Sequence, residues 1–115
     1  MNVEKDTKKV VICLNKNKEV KYLLIKSTNY KDFGEFQDAW CPPAGHTHHG
    51  EHMKAALKRE LKEELNIEVK PVKLITKWEQ YIPGEVAFWW KCKIIGGDIQ
   101  KSFEIKEYNR YTPIK

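Results

Sequence analysis

Only one stretch of this 115-residue chain shows the periodicity of a long helix, and a stiff segment precedes it. Prolines at 42 and 43 fix the backbone and remove two amide donors, so residues 40–45 cannot lie in the middle of a sheet. From about residue 51 to 65, apolar side chains recur every three or four positions, as one buried helix face requires. They are Met53, Ala56, Leu57, Leu61 and Leu65. Asn66 is suited to a left-handed cap, so the sequence predicts a rigid turn that leads into one amphipathic helix.

The remaining apolar stretches have the patterns of strands. Residues 10–14 and 20–25 flank a polar turn and predict a hairpin. Residues 86–95 are rich in aromatic and β-branched side chains, which predicts a third long strand. Residues 103–111 fit either a last strand or a short helix. Residues 69–78 alternate as a half-buried strand would, with three apolar residues on one side: Val72, Leu74 and Trp78.

Length and composition indicate a single domain over residues 1–115 and restrict its environment. With 41% hydrophobic and 32% charged residues, the chain is too apolar to be disordered. The net charge of +5 suits an anionic partner but does not choose among nucleotide, nucleic acid and membrane surface. No apolar run approaches the roughly 20 residues of a membrane span, and the N-terminus lacks a secretory signal. Three cysteines, an odd number, indicate free thiols and a cytoplasmic location.

Three glutamates on the predicted helix are the main candidates for chemistry. Glu60, Glu63 and Glu64 are three or four positions apart, which brings them onto one flank with Cβ atoms about 5–6 Å apart. Such a helix is often only a solvated face, but a hard cation such as Mg²⁺ would turn the repulsion into binding. The preceding loop favours a site, because Gly45 permits close approach of a ligand and a turn before a helix offers amides to anions.

Residues 45–67 resemble the Nudix box of the Nudix hydrolase family. That pattern is Gly, five residues, Glu, seven residues, then Arg-Glu-aliphatic-any-Glu-Glu-any-Gly-aliphatic. The matching positions are Gly45, Glu51, Arg59, Glu60, Leu61, Glu63, Glu64 and Ile67. Asn66 replaces the last glycine, and His48 stands where many relatives carry an acid. The resemblance implies an α/β/α sandwich with a mixed, partly antiparallel sheet, whose C-terminal helix is absent or truncated in this chain.

The resemblance also implies roles for individual residues. The implied metal ligands are Glu60, Glu63, Glu64 and a backbone carbonyl at Gly45 or Ala44. The implied catalytic residues are Arg59, which orients a neighbouring glutamate, Glu60, Glu64 and a downstream base, for which Glu104 and Glu107 are candidates. Glu51 matches a structural glutamate. The implied cofactor is Mg²⁺, with Mn²⁺ able to substitute.

The implied activity is hydrolysis of a nucleoside diphosphate linked to another group, with a nucleoside triphosphate or dinucleoside polyphosphate as substrate. The alternative is a sensor of nucleotides or RNA ends without efficient turnover, and the intact glutamates argue against it. Candidate substrate contacts are His46, Tyr81 and Trp90, although core packing is the competing interpretation for each tryptophan. The histidine cluster at 46–52 fits a polar loop or a transition-metal site. We expect a small-molecule nucleotide as partner, no membrane, and a monomer or homodimer. A nucleic-acid partner is not expected, because only the net charge of +5 and the tryptophans favour one.

Overall fold

A computed structural model describes residues 8–27, 39–79, 84–102 and 105–112. The strands, in chain order, are β1 (Lys8–Leu14), β2 (Tyr22–Ser27), β3 (Ala44–His46), β4 (Ile67–Glu79), β5 (Glu85–Gly97) and β6 (Ile105–Tyr111). The helix α1 (Met53–Leu65) lies between β3 and β4. In these ranges no helix is long and apolar enough to cross a membrane.

Two sheets carry the fold. Within the described ranges, four strands form one sheet in the order β3-β1-β5-β4, and β2 pairs with β6 in the other. β1 runs parallel to β5 and antiparallel to β3, while β4 and β5 are antiparallel. The sheet is therefore mixed and partly antiparallel, which confirms the predicted α/β class. The expectation about a C-terminal helix concerns residues after 112, which lie outside the described part.

The predicted helix is confirmed and begins two residues later than expected, with His52 as its N-cap. Its apolar face is buried as the periodicity requires, through Ala56, Leu57, Leu61 and Leu65. These side chains share a core with strands of both sheets. Asn66 ends the helix with φ 57° and ψ 35°, the left-handed conformation that the sequence predicts. Helix propensity and capping therefore agree with the tertiary packing.

The predicted hairpin between β1 and β2 is confirmed only at its tip, where Lys16 and Tyr22 form an antiparallel bridge and the Leu23 amide donates to the Asn15 carbonyl at 3.0 Å. The Asn17 side chain accepts hydrogen bonds from the amides of Glu19 and Lys21 in this turn. Beyond the tip the two strands diverge into different sheets, because β3 and β5 take both edges of β1 and β2 pairs with β6. Both strand runs were identified from sequence, but their partners are distant in sequence.

The proline-containing segment contacts both sheets. The amide and carbonyl of Cys41 pair with Ile25 of β2 at 3.0 and 2.8 Å. The carbonyl of Pro43 then accepts from the Cys13 amide at 2.8 Å, and β3 pairs with β1. β3 is an edge strand of only three residues, so the prediction that this segment avoids the middle of a sheet is confirmed. Its position fixes the loop that precedes α1.

The burial predicted for β4 is wrong, although the strand itself is confirmed. Ile67, Val69 and Pro71 are buried in alternation, but every residue from 72 to 79 is exposed. β4 lies at the edge of its sheet, and bulges at positions 68/69, 71/73 and 74/76 shift its register against β5. The three apolar residues expected on one buried side are therefore all exposed: Val72, Leu74 and Trp78. The ambiguous segment near the C-terminus contains the strand β6 rather than a helix.

Candidate active site

The loop before α1 lies directly against the helix at Gly45. A Cβ atom at this position would overlap the carboxyl group of Glu60. Any other residue would therefore push the Glu60 side chain away from the backbone of β3. Glycine is needed here for close approach, in agreement with the reason given for it from sequence.

Arg59 joins this loop to the helix through a fan of hydrogen bonds. Its Nε and Nη2 atoms donate to the two carboxylate oxygens of Glu51, each at 2.9 Å. Its Nη1 donates to Glu60 Oε1 at 2.8 Å and to Glu63 Oε2 at 3.3 Å. Nη2 also donates to the carbonyl of His46 at 3.0 Å. We call Arg59 and these four partners the Arg59 cluster, and the planar guanidinium is what allows one residue to orient all of them.

Electrostatics within the cluster favour the charged forms of Glu51 and Arg59. Hydrogen bonds from Arg59, and to a lesser extent from the backbone amide of His48, together lower the pKa of Glu51 to about 2. The same pairing raises the pKa of Arg59 above its usual value. Glu51 is therefore ionised across the neutral and mildly acidic range. Its position, with both oxygens held by Arg59, is that of a residue that fixes the loop.

The three helix glutamates share a flank but differ in depth. The side chain of Glu63 is 59% exposed, that of Glu60 is 14% exposed, and Glu64 is only 3% exposed as a residue. Glu64 reaches into the core near β1. A hydrogen bond to Cys92 and burial raise the pKa of the Cys13 thiol, and the negative charge of Glu64 raises it further. The three carboxylates of the helix therefore range from exposed at Glu63 to buried at Glu64.

The donor atoms suit a hard divalent cation in type. Carboxylate and carbonyl oxygens are the ligands that Mg²⁺ prefers, and Glu60 lies beside the Gly45 backbone where a carbonyl ligand is expected. As the side chains stand, the described residues contain no group of three or more His, Cys, Asp or Glu side chains placed to hold a metal. Arg59 explains part of this, because its Nη1 atom contacts both Glu60 and Glu63.

Two of the substrate contacts expected from sequence can be located. The His46 carbonyl accepts from Arg59, but its ring lies on the Val10 face of the sheet, where its Nε2 is 2.7 Å from Glu85 Oε2. The sequence analysis missed Glu85, which is 39 residues away in the chain with no motif around it. Trp90 is 7% exposed and packs in the core, so its ring has no free face for a base. Trp89 packs against a separate small cluster on the other face of the sheet, as alternation along a strand predicts.

The remaining candidates divide between exposed positions and positions outside the described part. Tyr81 and Glu104 both lie outside the described residues. Glu107, the alternative downstream base, is exposed on β6 and forms an ion pair with Lys26 at 3.3 Å. Three histidines of the cluster, at 48, 49 and 52, are exposed. In the described part they join no group of three or more side chains that could hold a metal.

Comparison with known proteins identifies the family. The family model of the NUDIX domain matches residues 6–114. The helix with its glutamates, the Gly45 contact and the mixed sheet thus occur in a chain that belongs to the Nudix hydrolase family. No curated protein matches the chain.

Solved structures of Nudix hydrolases share the fold. An ADP-ribose pyrophosphatase from Streptococcus suis is 18% identical with a TM-score of 0.74, and the match covers 91% of this chain and 73% of that one. A Nudix hydrolase from Nitrosomonas europaea is 22% identical with a TM-score of 0.78, covering 93% and 58%. A UDP-X diphosphatase is 19% identical with a TM-score of 0.75, covering 92% and 51%. The chain thus spans between about half and three quarters of the length of these relatives.

Proposed function

We propose that this chain is a metal-dependent pyrophosphohydrolase that cleaves a nucleoside diphosphate linked to another group. The observation that carries the proposal is the Arg59 cluster, which holds Glu60 against the backbone at Gly45. A helix that only faced solvent would have no need for a guanidinium that contacts three carboxylates and a loop carbonyl. The names of two matched structures, an ADP-ribose pyrophosphatase and a UDP-X diphosphatase, support cleavage of diphosphate bonds.

The proposed cation site uses Glu60, Glu63, Glu64 and the carbonyl at Gly45, with Mg²⁺ as the ion and Mn²⁺ as a substitute. These residues would hold a divalent cation, which would supply neutralisation of the diphosphate charge and polarisation of the phosphorus–oxygen bond. The chain supplies rigid placement: three carboxylates on one helix, and a loop fixed by the Glu51–Arg59 pair. Sites on regular elements hold their geometry better than sites on loops.

We also propose the catalytic and substrate roles that the resemblance implies. Glu60 and Glu64 are candidates for holding the attacking water, and Glu104 is the downstream candidate for the base. His46 stays a proposed contact for substrate phosphate from the sequence pattern, since only its carbonyl reaches Arg59 and its ring pairs with Glu85 on the face of the sheet opposite to α1. Tyr81 stays a candidate for contact with the nucleobase of the substrate. We no longer propose Trp90 for that role, because its ring is buried.

We propose nucleoside triphosphates or dinucleoside polyphosphates as the substrate class, and a monomer or homodimer as the working form. The cytoplasm is the proposed location, because the three cysteines are free and two of them, Cys13 and Cys92, are buried. Thiols of this kind persist in reducing compartments.

A phosphate-release screen tests the proposal. The protein is incubated with Mg²⁺ or Mn²⁺ and with nucleoside triphosphates, dinucleoside polyphosphates, ADP-ribose and nucleotide sugars. Cleavage of the diphosphate bond gives pyrophosphate or phosphomonoesters, so pyrophosphatase is added for the triphosphates and alkaline phosphatase for the other substrates to convert these products to free phosphate. We expect metal-dependent release on one class, which is reduced by orders of magnitude in Glu64→Gln. Glu19→Gln, an exposed glutamate in the turn before β2, is the matched control and should keep full activity. Equal activity of the wild type and Glu64→Gln would contradict the ligand assignment.

Metal binding is measured separately from turnover. Mn²⁺ is expected to broaden the NMR signals of α1 in the wild type, and to do so more weakly in Glu64→Gln. Binding without turnover on any substrate would favour the sensor function over the hydrolase. Signals that stay sharp up to millimolar Mn²⁺ would contradict the cation site itself.

A further inference from the structure

Four lysines on β4 and β5 form a second charged region, away from the Arg59 cluster. The strand register places Lys70 directly opposite Lys93, and Lys73 directly opposite Lys91. Residues directly opposite each other in an antiparallel pair have side chains on the same face, with Cβ atoms about 4.5–5.5 Å apart. Lys91 and Lys93 are two residues apart on one strand, so they share a face as well. We call these four residues the lysine quartet.

A β-bulge is what gathers the quartet on one face. Lys70 and Lys73 are three residues apart and would point to opposite faces of a regular strand. The register shifts between Pro71 and Lys73, so Val72 is the extra residue. One extra residue restores the two lysines to the same side. The other face of the same positions carries Pro71 and Cys92, which are buried.

The charges of the quartet have no partner in the part of the chain that the structure describes. All four lysines are exposed, and no ion pair there links any of them to an acidic side chain. Like charges directly opposite each other destabilise a strand pair. The two strands lie about 4.8 Å apart, and residues two positions along a strand are about 6.6 Å apart. The quartet is therefore a flat array of positive charge that an extended polyanion would neutralise.

An exposed tryptophan lies on the same face of the sheet. Trp78 pairs with Ala87, which shares the face of Lys91 and Lys93 because it is an even number of residues away from them. Its ring is 68% exposed, which is the largest value among the exposed large hydrophobic residues. Aromatic rings of this kind stack with the bases of single strands regardless of sequence. An acidic peptide or a DNA duplex has no unpaired base to offer.

We propose that the lysine quartet and Trp78 bind a single-stranded nucleic acid, with the phosphodiester chain on the lysines and a base on Trp78. The sequence analysis did not expect a nucleic-acid partner, because only the net charge of +5 and the tryptophans favoured one. The bulge in β4 and the register of β4 with β5 place four of these positive charges next to each other on one face of the sheet. This binding requires no hydrolysis and is independent of the proposed cation site.

The surface also has a defined relation to the active site. The register aligns Trp78, Ala87, Val10 and His46 in one row across the four strands. Three strand spacings amount to about 14 Å. The His46 carbonyl accepts a hydrogen bond from Arg59. The Trp78 end of a bound oligonucleotide would thus lie about that far from His46, while α1 packs on the other face of the sheet.

Fluorescence anisotropy with a labelled single-stranded oligonucleotide of about 12 nucleotides tests the proposal, since sites of single-strand binders span that range. The titration is done in EDTA and repeated over a series of salt concentrations. For single strands, each phosphate contact contributes about 0.7 to the slope of log affinity against log salt. The double variant Lys73→Gln/Lys91→Gln should therefore reduce the slope by about 1.4 and the affinity at 0.1 M salt by about 20-fold. The control Lys16→Gln/Lys18→Gln removes the same charge from an exposed turn and should change the affinity less than about twofold.

Trp78→Ala tests the base contact. We expect its affinity for the oligonucleotide to fall about fivefold or more, the equivalent of a stacking energy of about 1 kcal/mol. Its affinity for an abasic oligonucleotide should not change. An equal loss on both oligonucleotides would overturn the stacking role.

Four outcomes would overturn the proposal as a whole. They are no oligonucleotide binding by the wild type at low salt, equal losses in the two lysine double variants, equal affinity for polyglutamate, and binding to phosphatidylserine vesicles that excess oligonucleotide does not displace. None of them depends on turnover. A failed binding experiment with a positive phosphate-release screen would therefore leave the proposed hydrolase in place.

Discussion

The Arg59 cluster and the lysine quartet show two different uses of charge in one small domain. In the cluster, one guanidinium contacts three carboxylates and a carbonyl at distances from 2.8 to 3.3 Å. In the quartet, like charges lie directly opposite each other on neighbouring strands. Charge that is compensated internally fixes the geometry of a loop and a helix. Charge that is gathered without compensation raises the energy of the free protein and favours an external partner.

The largest expected effect tests the internal compensation. Arg59→Lys keeps the charge but loses the planar fork that contacts Glu51 with two nitrogens. Loss of a residue that orients ligands costs about 10–100-fold in metal affinity or activity, and we expect a fall in kcat of that size. The double variant Arg59→Lys/Glu51→Gln should be hardly worse than either single variant, because the two residues act as one unit. Strictly additive losses would show that the pair is not one unit.

A smaller effect is expected from Gly45→Ala. The new methyl group displaces the end of the Glu60 side chain, which is flexible, so folding should change by less than about 1 kcal/mol. Activity should fall about tenfold, because a shift of one ligand by about 1 Å is costly at a reacting centre. Thermal unfolding and steady-state kinetics measured together separate the two effects. A large drop in Tm with normal kinetics would mean that Gly45 serves the fold and not the site.

Stability against pH tests the Glu51–Arg59 pair without any substrate. The pKa of Glu51 in the folded protein is lowered from about 4.5 to about 2. The stabilisation from its ionised form is therefore fully present above the unfolded value and is lost as the pH falls toward the folded value. Urea unfolding of wild type and Glu51→Gln should show a gap that narrows between pH 5 and pH 2.5, both values being approximate limits of that window. A gap that stays constant over this range would contradict the assigned pKa.

The smallest effect concerns the quartet and has the opposite sign. Lys91→Gln removes one of two charges that lie directly opposite each other on β4 and β5. We expect the variant to be more stable than the wild type by a few tenths of a kcal/mol at low salt. The gain should disappear at about 1 M salt, where the screening length is about 3 Å. Destabilisation at low salt would show that Lys91 has a compensating partner in the free protein.

The sequence predicted the parts of the site that depend on local spacing. The helix, its apolar face and the Asn66 cap follow from a period of three to four residues and are confirmed. The Nudix box is a local pattern as well, and the match over residues 6–114 confirms the family. The contact of Arg59 with Glu51 and Glu60 lies within that same segment.

What the sequence could not predict depends on pairing between distant strands. β2 pairs with β6 rather than with β1, because the choice of partner is decided by sheets that assemble from the whole chain. The bulge at Val72 has no signature in the letters of β4, so neither the exposure of Trp78 nor the lysine quartet could be derived. Glu85 reaches His46 across the sheet for the same reason. Alternation along β4 predicts burial only where another layer covers the strand, and the covered part ends at Pro71.

The segment from Cys41 to His46, which contacts both sheets, has a consequence for how the protein folds. Cys41 is hydrogen-bonded to β2, and the residues that follow it pair with β1. The position of the loop at Gly45 is therefore set by contacts with both sheets. Neither sheet alone can complete it, and most of these pairings join residues far apart in sequence. Contacts of that kind form late in refolding, because closing long loops costs entropy. During refolding, the circular dichroism signal of the helix should thus recover before catalytic activity does, because the loop of the site is positioned last.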